Sequence, residues 1–249
     1  MDLQIEDRVA IVTGASRGLG RAIAVGLGAE GARVLAVARS KDRLESLAAA
    51  SDGRIAAAVC DMSDDAQVAS LVELAMGRFG RLDAVVNNAG ISPGKLLLDS
   101  TRSDWEHIFA VNFMGPVCLC RAAGSILTAQ RSGKIVNVAS ITGLVGRRTI
   151  SAYSAAKAAL IRFSESIAHE WADSNVQVNV IAPGGFDTEA HREVLVTPDL
   201  VKARLARIPV GRLGRPDEIA SLVAYLVSPR SDFMTGATLV VDGGEIAHL

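Results

Sequence analysis

Tyr153 and Lys157, the ends of YSAAK, are four residues apart, so on a helix they share a face and an ammonium can lie beside a phenol. A free phenol ionises near pH 10, leaving about one part in a thousand as phenolate at pH 7. A neighbouring cation favours the ionised form, so Lys157 is expected to lower the Tyr153 pKa and let Tyr153 exchange a proton with a reacting oxygen. The pattern is common and proves nothing alone. Two further polar residues precede it: Asn112 in a helical stretch, and Ser140 directly after an apolar run, thirteen residues before Tyr153.

A second constellation lies at Thr13 to Gly20, TGASRGLG. Its middle, Gly14-Ala15-Ser16-Arg17-Gly18, fits G-x-S-x-G, the strand-to-helix turn that exposes a nucleophilic serine. Such a serine needs a histidine base and an oxyanion-hole segment from an earlier strand-to-helix loop, and only twelve residues precede Thr13. The histidines fit poorly as well: His107 and His169 fall inside helical patterns, His191 in a polar, loop-like region and His248 in the C-terminal tail. A phosphate cradle explains more residues. Gly14 permits a turn, Gly18 admits backbone close to a pyrophosphate, and Gly20 allows tight helix packing. The N–H groups that open the following helix then attract the anion. The spacing is G-x-x-x-G-x-G rather than G-x-G-x-x-G, so the rest of the chain must decide.

The elements that must position these residues are legible as alternation. Apolar runs at Val9–Thr13, 34–38, 55–60, Ala84–Asn87, 135–139, 176–181 and Thr238–Val241 alternate with stretches of helical period. Continuous apolar runs suit strands covered on both faces, and intervening helices supply parallel crossovers. The pattern predicts a doubly wound α/β fold with helices over 18–30, 105–130 and 153–171 and a further one from Pro216 that stops before Pro229. No linker or repeat interrupts the series, so residues 1–249 are expected to form one domain, with short helices over 185–209 as a substrate lid.

The net charge is -1, with 21% charged residues and scattered arginines, which argues against a nucleic-acid partner. The three cysteines, Cys60, Cys118 and Cys120, build neither a disulfide framework nor a metal site. No metal is expected. The acidic start MDLQIEDRVA and the absence of an apolar run of about 18 residues predict a cytoplasmic protein without a membrane partner.

In order along the chain, TGASRGLG, NNAG at 87–90, Asn112, Ser140, YSAAK, Pro183-Gly184 with Thr188, GRPDEIA and VVDGG resemble the short-chain dehydrogenase/reductase family in its short single-domain form. The resemblance spans essentially the whole sequence. It implies a Rossmann fold with a seven-stranded parallel sheet, and hydride transfer between a nicotinamide and a carbonyl or secondary alcohol. Asn112, Ser140, Tyr153 and Lys157 are then the catalytic set: Ser140 orients the substrate oxygen, Tyr153 is acid or base, and Asn112 anchors a water that links Lys157 to solvent. Cofactor contacts are expected from Gly14, Ser16, Arg17, Gly18, Leu19 and Gly20. Asp61 would accept from the adenine amino group with Met62 backbone beside it, unless Asp61 is merely a turn or helix-cap residue before Ser63. Asn88, Ala89 and Gly90 would pass the adenosine ribose. Tyr153, Lys157, Pro183, Gly184 and Thr188 would lie at the nicotinamide end.

The end of the second strand lacks the acidic residue that would bind a ribose 2′-hydroxyl, and has Ala38 followed by Arg39. Arg39 and Arg17 suit a 2′-phosphate, so NADP(H) is favoured, with NAD(H) as the alternative and an exposed ion-pair role open for either arginine. The substrate is expected to be a small carbonyl or alcohol: a 3-oxoacyl thioester, a sugar or polyol, or a simple ketone. Its walls are expected at 91–96, 141–146 and 185–209. Arg147, Arg148, His191 and Arg192 fit an anionic group, although each singly is expected to face water. The resemblance also implies a homotetramer. Rival classes are a serine hydrolase, a nonenzymatic nucleotide-binding regulator, and a relative with an extended chain that uses the cofactor for epimerisation or dehydration.

Overall fold

A computed structural model describes residues 2–247, and the tail position of His248 lies outside them. Seven strands form one parallel sheet in the order β3-β2-β1-β4-β5-β6-β7: β1 Val9–Thr13, β2 Arg33–Ala38, β3 Ile55–Val59, β4 Ala84–Asn87, β5 Gly133–Val138, β6 Val176–Pro183 and β7 Thr238–Val241. Alternate residues of β1 show why the runs are continuously apolar. Ala10 and Val12 pack with α1 (Gly18–Ala29), α2 (Lys41–Ala49) and α9 (Pro216–Leu226), whereas Val9 and Ile11 pack with α3 (Asp65–Phe79), α5 (Gly115–Ala129) and α6 (Ser151–Trp171). A strand's side chains alternate between faces, so two covered faces demand apolar residues at every position. Each fully buried Leu or Ile, such as Leu27 or Leu119, contributes about 1.5–3 kcal/mol.

The strand order reverses between β1 and β4, which opens a crevice beyond their carboxyl ends. The loops after β1, β4, β5 and β6 converge on that side, and they carry the residues singled out above. Helix α4 (Arg102–Phe109) runs through a π-helical turn at Ala110–Met114 into α5. This 28-residue helix is long and apolar enough to cross a membrane by length and composition, yet half of its most apolar window is buried inside the protein. Two short helices, α7 (Glu189–Val194) and α8 (Pro198–Leu205), follow β6.

Most boundaries agree with the apolar pattern, and the departures have physical causes. Strand β5 begins at Gly133, two residues early, because Lys134 is buried at 4% exposure with its ammonium 2.6 Å from Asp232. Strand β6 runs on to Pro183, which pairs with Val241 of the short edge strand β7. Helix α1 ends at Ala29, and the chain leaves it through Gly31 at φ +86°.

Candidate functional site

The glycine loop is a cradle with no room for a side chain at Gly14 or Gly20. Gly14 and Gly18 have φ of +69° and +57°, and a Cβ at Gly20 would collide with the Gly14 carbonyl and the Asn88 amide. Helix α1 follows with no side-chain cap at Arg17, so its first N–H groups face the crevice unfilled. Leu19 packs on the core beneath it, and Ser16 is half-buried in the loop. Thr188 lies against Gly18, its carbons 3.5 Å from where a Cβ would stand. This arrangement suits a pyrophosphate between the loop and Thr188.

The NNAG segment is pinned to the same cradle. Thr13 Oγ1 accepts from the backbone N–H groups of Asn88 and Ala89 at 2.9 and 3.0 Å, and Asn88 Nδ2 donates to the Thr13 carbonyl at 3.0 Å. The first asparagine, Asn87, is buried and donates to Asn137 of β5, which donates to Ser164 of α6. Thr13 and this chain of amides carry no catalytic pattern in sequence, yet they set the spacing of β1, β4, β5 and α6.

Asn112 sits in the π-helical turn, where an extra residue per turn opens the helix. Its Nδ2 donates to the carbonyls of Ile91 and Ile108, both at 2.9 Å, and its Oδ1 accepts from Ile91 N–H at 3.2 Å. Its first task is therefore a clamp on the chain after Gly90. A Cβ at Gly90 would lie 2.7 Å from Asn112 Oδ1 and 3.6 Å from Lys157 Nζ, so glycine keeps the gap between those two atoms open.

Tyr153 and Lys157 share one face of α6, as the spacing requires, with Lys157 Nζ 5.8 Å from the Tyr153 ring centre. Lys157 is 2% exposed and donates to the Val138 carbonyl at 2.8 Å. Burial pulls its ammonium down to about 8. The expected lowering of Tyr153 by Lys157 is not met. Burial pushes the Tyr153 hydroxyl upward, and what opposes that rise is a hydrogen bond with Ser140, because the ammonium is directed at Val138. Ser140, at the end of β5, also accepts from the N–H and hydroxyl of Thr142, at 3.2 and 3.1 Å. Thr142 is a polar neighbour of the reacting position that the sequence did not single out.

At the adenosine end, Asp61 Oδ1 accepts from the N–H and hydroxyl of Ser63, and these bonds hold its carboxyl below the usual range. It is thus a turn residue first, with its second oxygen left for a ligand. Met62 is buried, its carbonyl pressed against Gly115. Arg39 is exposed, and its charge also acts on Asp61. Arg17 takes the ion-pair role left open for it: its exposed guanidinium lies 2.9 Å from Glu193 of α7. Arg43, which sequence reasoning missed, pairs with Glu189 of the same helix at 2.8 Å.

At the other end, Pro183 closes β6, and Gly184 donates to the Val241 carbonyl. His191 lies in α7 rather than in a loop, because Thr188 caps that helix by accepting from His191 N–H. Arg192 is exposed and pairs with Asp187, as a solvated residue should. Arg147 does not face water: it is 17% exposed, against the buried Glu245. Two concave regions of about 650 and 420 Å³ lie in the segment 187–215, and Tyr153 and Ser140 line neither. Among the described residues no cluster of His, Cys, Asp and Glu could hold a metal ion.

Comparison with known proteins follows the same outline. Residues 14–245 match the family model described as enoyl-(acyl carrier protein) reductase. The chain is 38% identical to the 3-oxoacyl-(acyl-carrier-protein) reductase FabG of Salmonella typhimurium over 97% of this chain and 98% of that one. It is 35% identical to FabG of Thermotoga maritima, over 97% and 99%. Among solved structures, one assigned as a short-chain alcohol dehydrogenase from Sinorhizobium meliloti superposes with a TM-score of 0.94 at 34% identity, covering 99% of both chains. Another, from Beutenbergia cavernae, is assigned as an NAD(P)-dependent gluconate 5-dehydrogenase and holds NADP at low occupancy. It superposes at 0.92 with 33% identity, covering 99% of this chain and 100% of that one.

Proposed function

The chain belongs to the short-chain dehydrogenase/reductase family of oxidoreductases, and we propose that it moves hydride between NADP(H) and a carbonyl or secondary alcohol, with Tyr153 as general acid and base. The observation that carries this reading is the convergence of Ser140, Tyr153, Lys157 and Asn112 beside a side-chain-free cradle at the crevice. NADPH, when bound, supplies hydride to the carbonyl carbon. Gly14, Ser16, Gly18, Leu19 and Gly20 hold the pyrophosphate, Asp61 with Met62 the adenine, and Asn88, Ala89 and Gly90 the ribose beside it. Pro183, Gly184 and Thr188, with Tyr153 and Lys157, hold the nicotinamide half.

Ser140 orients the substrate oxygen and stabilises the charge that grows on it. Tyr153 keeps its proton at neutral pH, because burial raises its pKa, and gives it to the developing alkoxide in reduction. The open gap at Gly90 lets a water bridge Lys157 to Asn112 Oδ1, and through it Lys157 relays a proton back to the phenolate left behind. Segment 185–209 closes over the substrate as a lid within a single domain, and the assembly is a homotetramer.

Arg39 and the missing acidic residue after β2 support NADP, as does NADP in the Beutenbergia relative. A second reading, an NAD-dependent sugar or polyol dehydrogenase, is favoured by one observation: Arg17 is held by Glu193 and so is withdrawn from a 2′-phosphate. Absorbance at 340 nm across ketones, oxoacyl thioesters, sugars and polyols with each cofactor tests both. NADPH-dependent reduction is expected; turnover only with NAD selects the second reading, and binding of either cofactor without turnover overturns both.

A further inference from the structure

Three side chains that take no part in proton transfer form a buried charged cluster on the substrate side of β5 and β6. Glu245 is 1% exposed, and its carboxylate accepts from both terminal nitrogens of Arg204, at 2.7 and 2.8 Å, and from Arg147 Nη2 at 2.5 Å. The parts come from separate elements: Arg147 from the loop seven residues after Ser140, Arg204 from the end of α8, and Glu245 from the turn after β7. The cluster abuts the nicotinamide end. A Cβ on Gly184 would lie 3.3 Å from Glu245 Oε2, and one on Gly185 would strike the Arg204 guanidinium. Arg147 and Arg204 thus join the two expected substrate walls, the post-β5 loop and the lid.

The charges do not balance. Two guanidiniums face one carboxylate, which leaves a positive charge in excess. His191 beside them adds none at neutral pH, because burial and then Arg204 hold its imidazole below the ordinary range against the opposing pull of Glu245 and Asp187. Of the nearby acids, Asp187 pairs with Arg192, and the negatively charged Asp242 carboxylate is turned to the backbone N–H groups of Gly244 and Ile246 rather than to either guanidinium. Arg147 Nε is buried without a hydrogen-bond partner. A buried donor with no partner is costly, as is one carboxylate shared between two guanidiniums, and both costs fall if an anion arrives.

We propose that Arg147 and Arg204, set in place by Glu245, receive the carboxylate of an oxo acid whose carbonyl faces Ser140 and Tyr153, so that the product is a hydroxy acid. This assignment rests on the oxidoreductase reading above. A planar guanidinium fork matches a carboxylate, as the bond pair from Arg204 to Glu245 already displays. Glu245 offsets one of the two cations and fixes both forks, which leaves the outer donors of Arg147 for substrate.

The test compares short oxo acids with their methyl esters and acyl thioesters, followed as NADPH oxidation by the full chain and by Arg147→Gln and Arg147→Lys. The wild type is expected to favour the acid over its ester in kcat/KM by about tenfold or more, the scale of a charge-assisted hydrogen bond. In Arg147→Gln that ratio should fall about tenfold, mainly through KM for the acid, and Arg147→Lys should recover part of it. Equal or better use of ester or thioester by the wild type overturns the carboxylate assignment while the oxidoreductase reading stands, as does an unchanged ratio in folded Arg147→Gln. If Arg147→Gln fails to fold, the wild-type ratio and Arg147→Lys decide. If no acid, ester or thioester is turned over but a simple ketone, sugar or polyol is, the carboxylate assignment falls alone; if none of these is turned over with either cofactor, the oxidoreductase reading falls and the assignment with it.

Discussion

The centre around Tyr153 and helix α7 are held by opposite means. Around Tyr153, polar side chains are tied to backbone: Asn112 to Ile91 and Ile108, Lys157 to Val138, and Thr13 to Asn88 and Ala89. Over the crevice, α7 has no buried residues and is tied by exposed ion pairs, Arg17 to Glu193 and Arg43 to Glu189, with Val194 and Val196 exposed beside them. Buried bonds to backbone fix geometry because losing one strands a polar group, whereas exposed ion pairs are worth about 0–1 kcal/mol. Under the proposed mechanism, proton transfer would rest on buried positions fixed by bonds to backbone, while closure and cofactor choice would depend on exposed contacts that exchange easily.

Substitutions at the centre should therefore separate chemistry from stability, with the largest effect at Lys157. Lys157→Met is expected to lower kcat/KM by about 10²–10⁴. At pH 7 it should also raise unfolding free energy by about 1–3 kcal/mol, because the native state carries a buried ammonium whose pKa is about 8 against an ordinary value near 10.5. The unfolded chain holds that proton until about pH 10.5 and the native chain sheds it above about 8. Between those values the wild type gains stability as pH rises, so the advantage of the variant should shrink there. Denaturant melts at pH 7 and 10 check the sign.

Asn112→Ala strands the Ile91 N–H and carbonyl and the Ile108 carbonyl, and should cost about 2–3 kcal/mol in melts, with at least a tenfold loss of kcat. At the exposed end, Arg39→Asp should move the ratio of NADPH to NADH efficiencies about 10–100-fold toward NADH by removing a 2′-phosphate partner and adding repulsion. The smallest effect is expected from Glu193→Gln. Freeing Arg17 should tighten NADPH binding about two- to fivefold by titration, while NADH binding stays constant. Equal tightening of both cofactors would make that contact a lid latch without a role in cofactor choice.

The seven strands and the meeting of Tyr153 with Lys157 were legible in sequence because periodicity and spacing express them. Continuous runs such as Val9–Thr13 mark doubly covered strands, and a spacing of four fixes a helix face. The Glu245 cluster was not legible, because its members lie 41 to 98 residues apart and each alone resembles a surface charge. Lys134 hid the start of β5 for a related reason: a lysine reads as solvated until its partner, Asp232, is placed beside it. The pKa of Tyr153 was misjudged because spacing gives proximity but not the direction of the ammonium, which Val138 takes. The ion pair of Arg17 was not legible because its partner lies 176 residues away.

The central claim is that a phenol tied to Ser140 moves the proton while everything around it holds still. Steady-state oxidation of NADPH by a ketone, followed at 340 nm in wild type and Tyr153→Phe across pH 6–10, tests it most directly. The account predicts that Tyr153→Phe keeps the wild-type melt and NADPH affinity and loses about 10²–10⁴ in kcat at every pH in that range. Normal turnover in a folded Tyr153→Phe, with the wild-type pH profile, would contradict it.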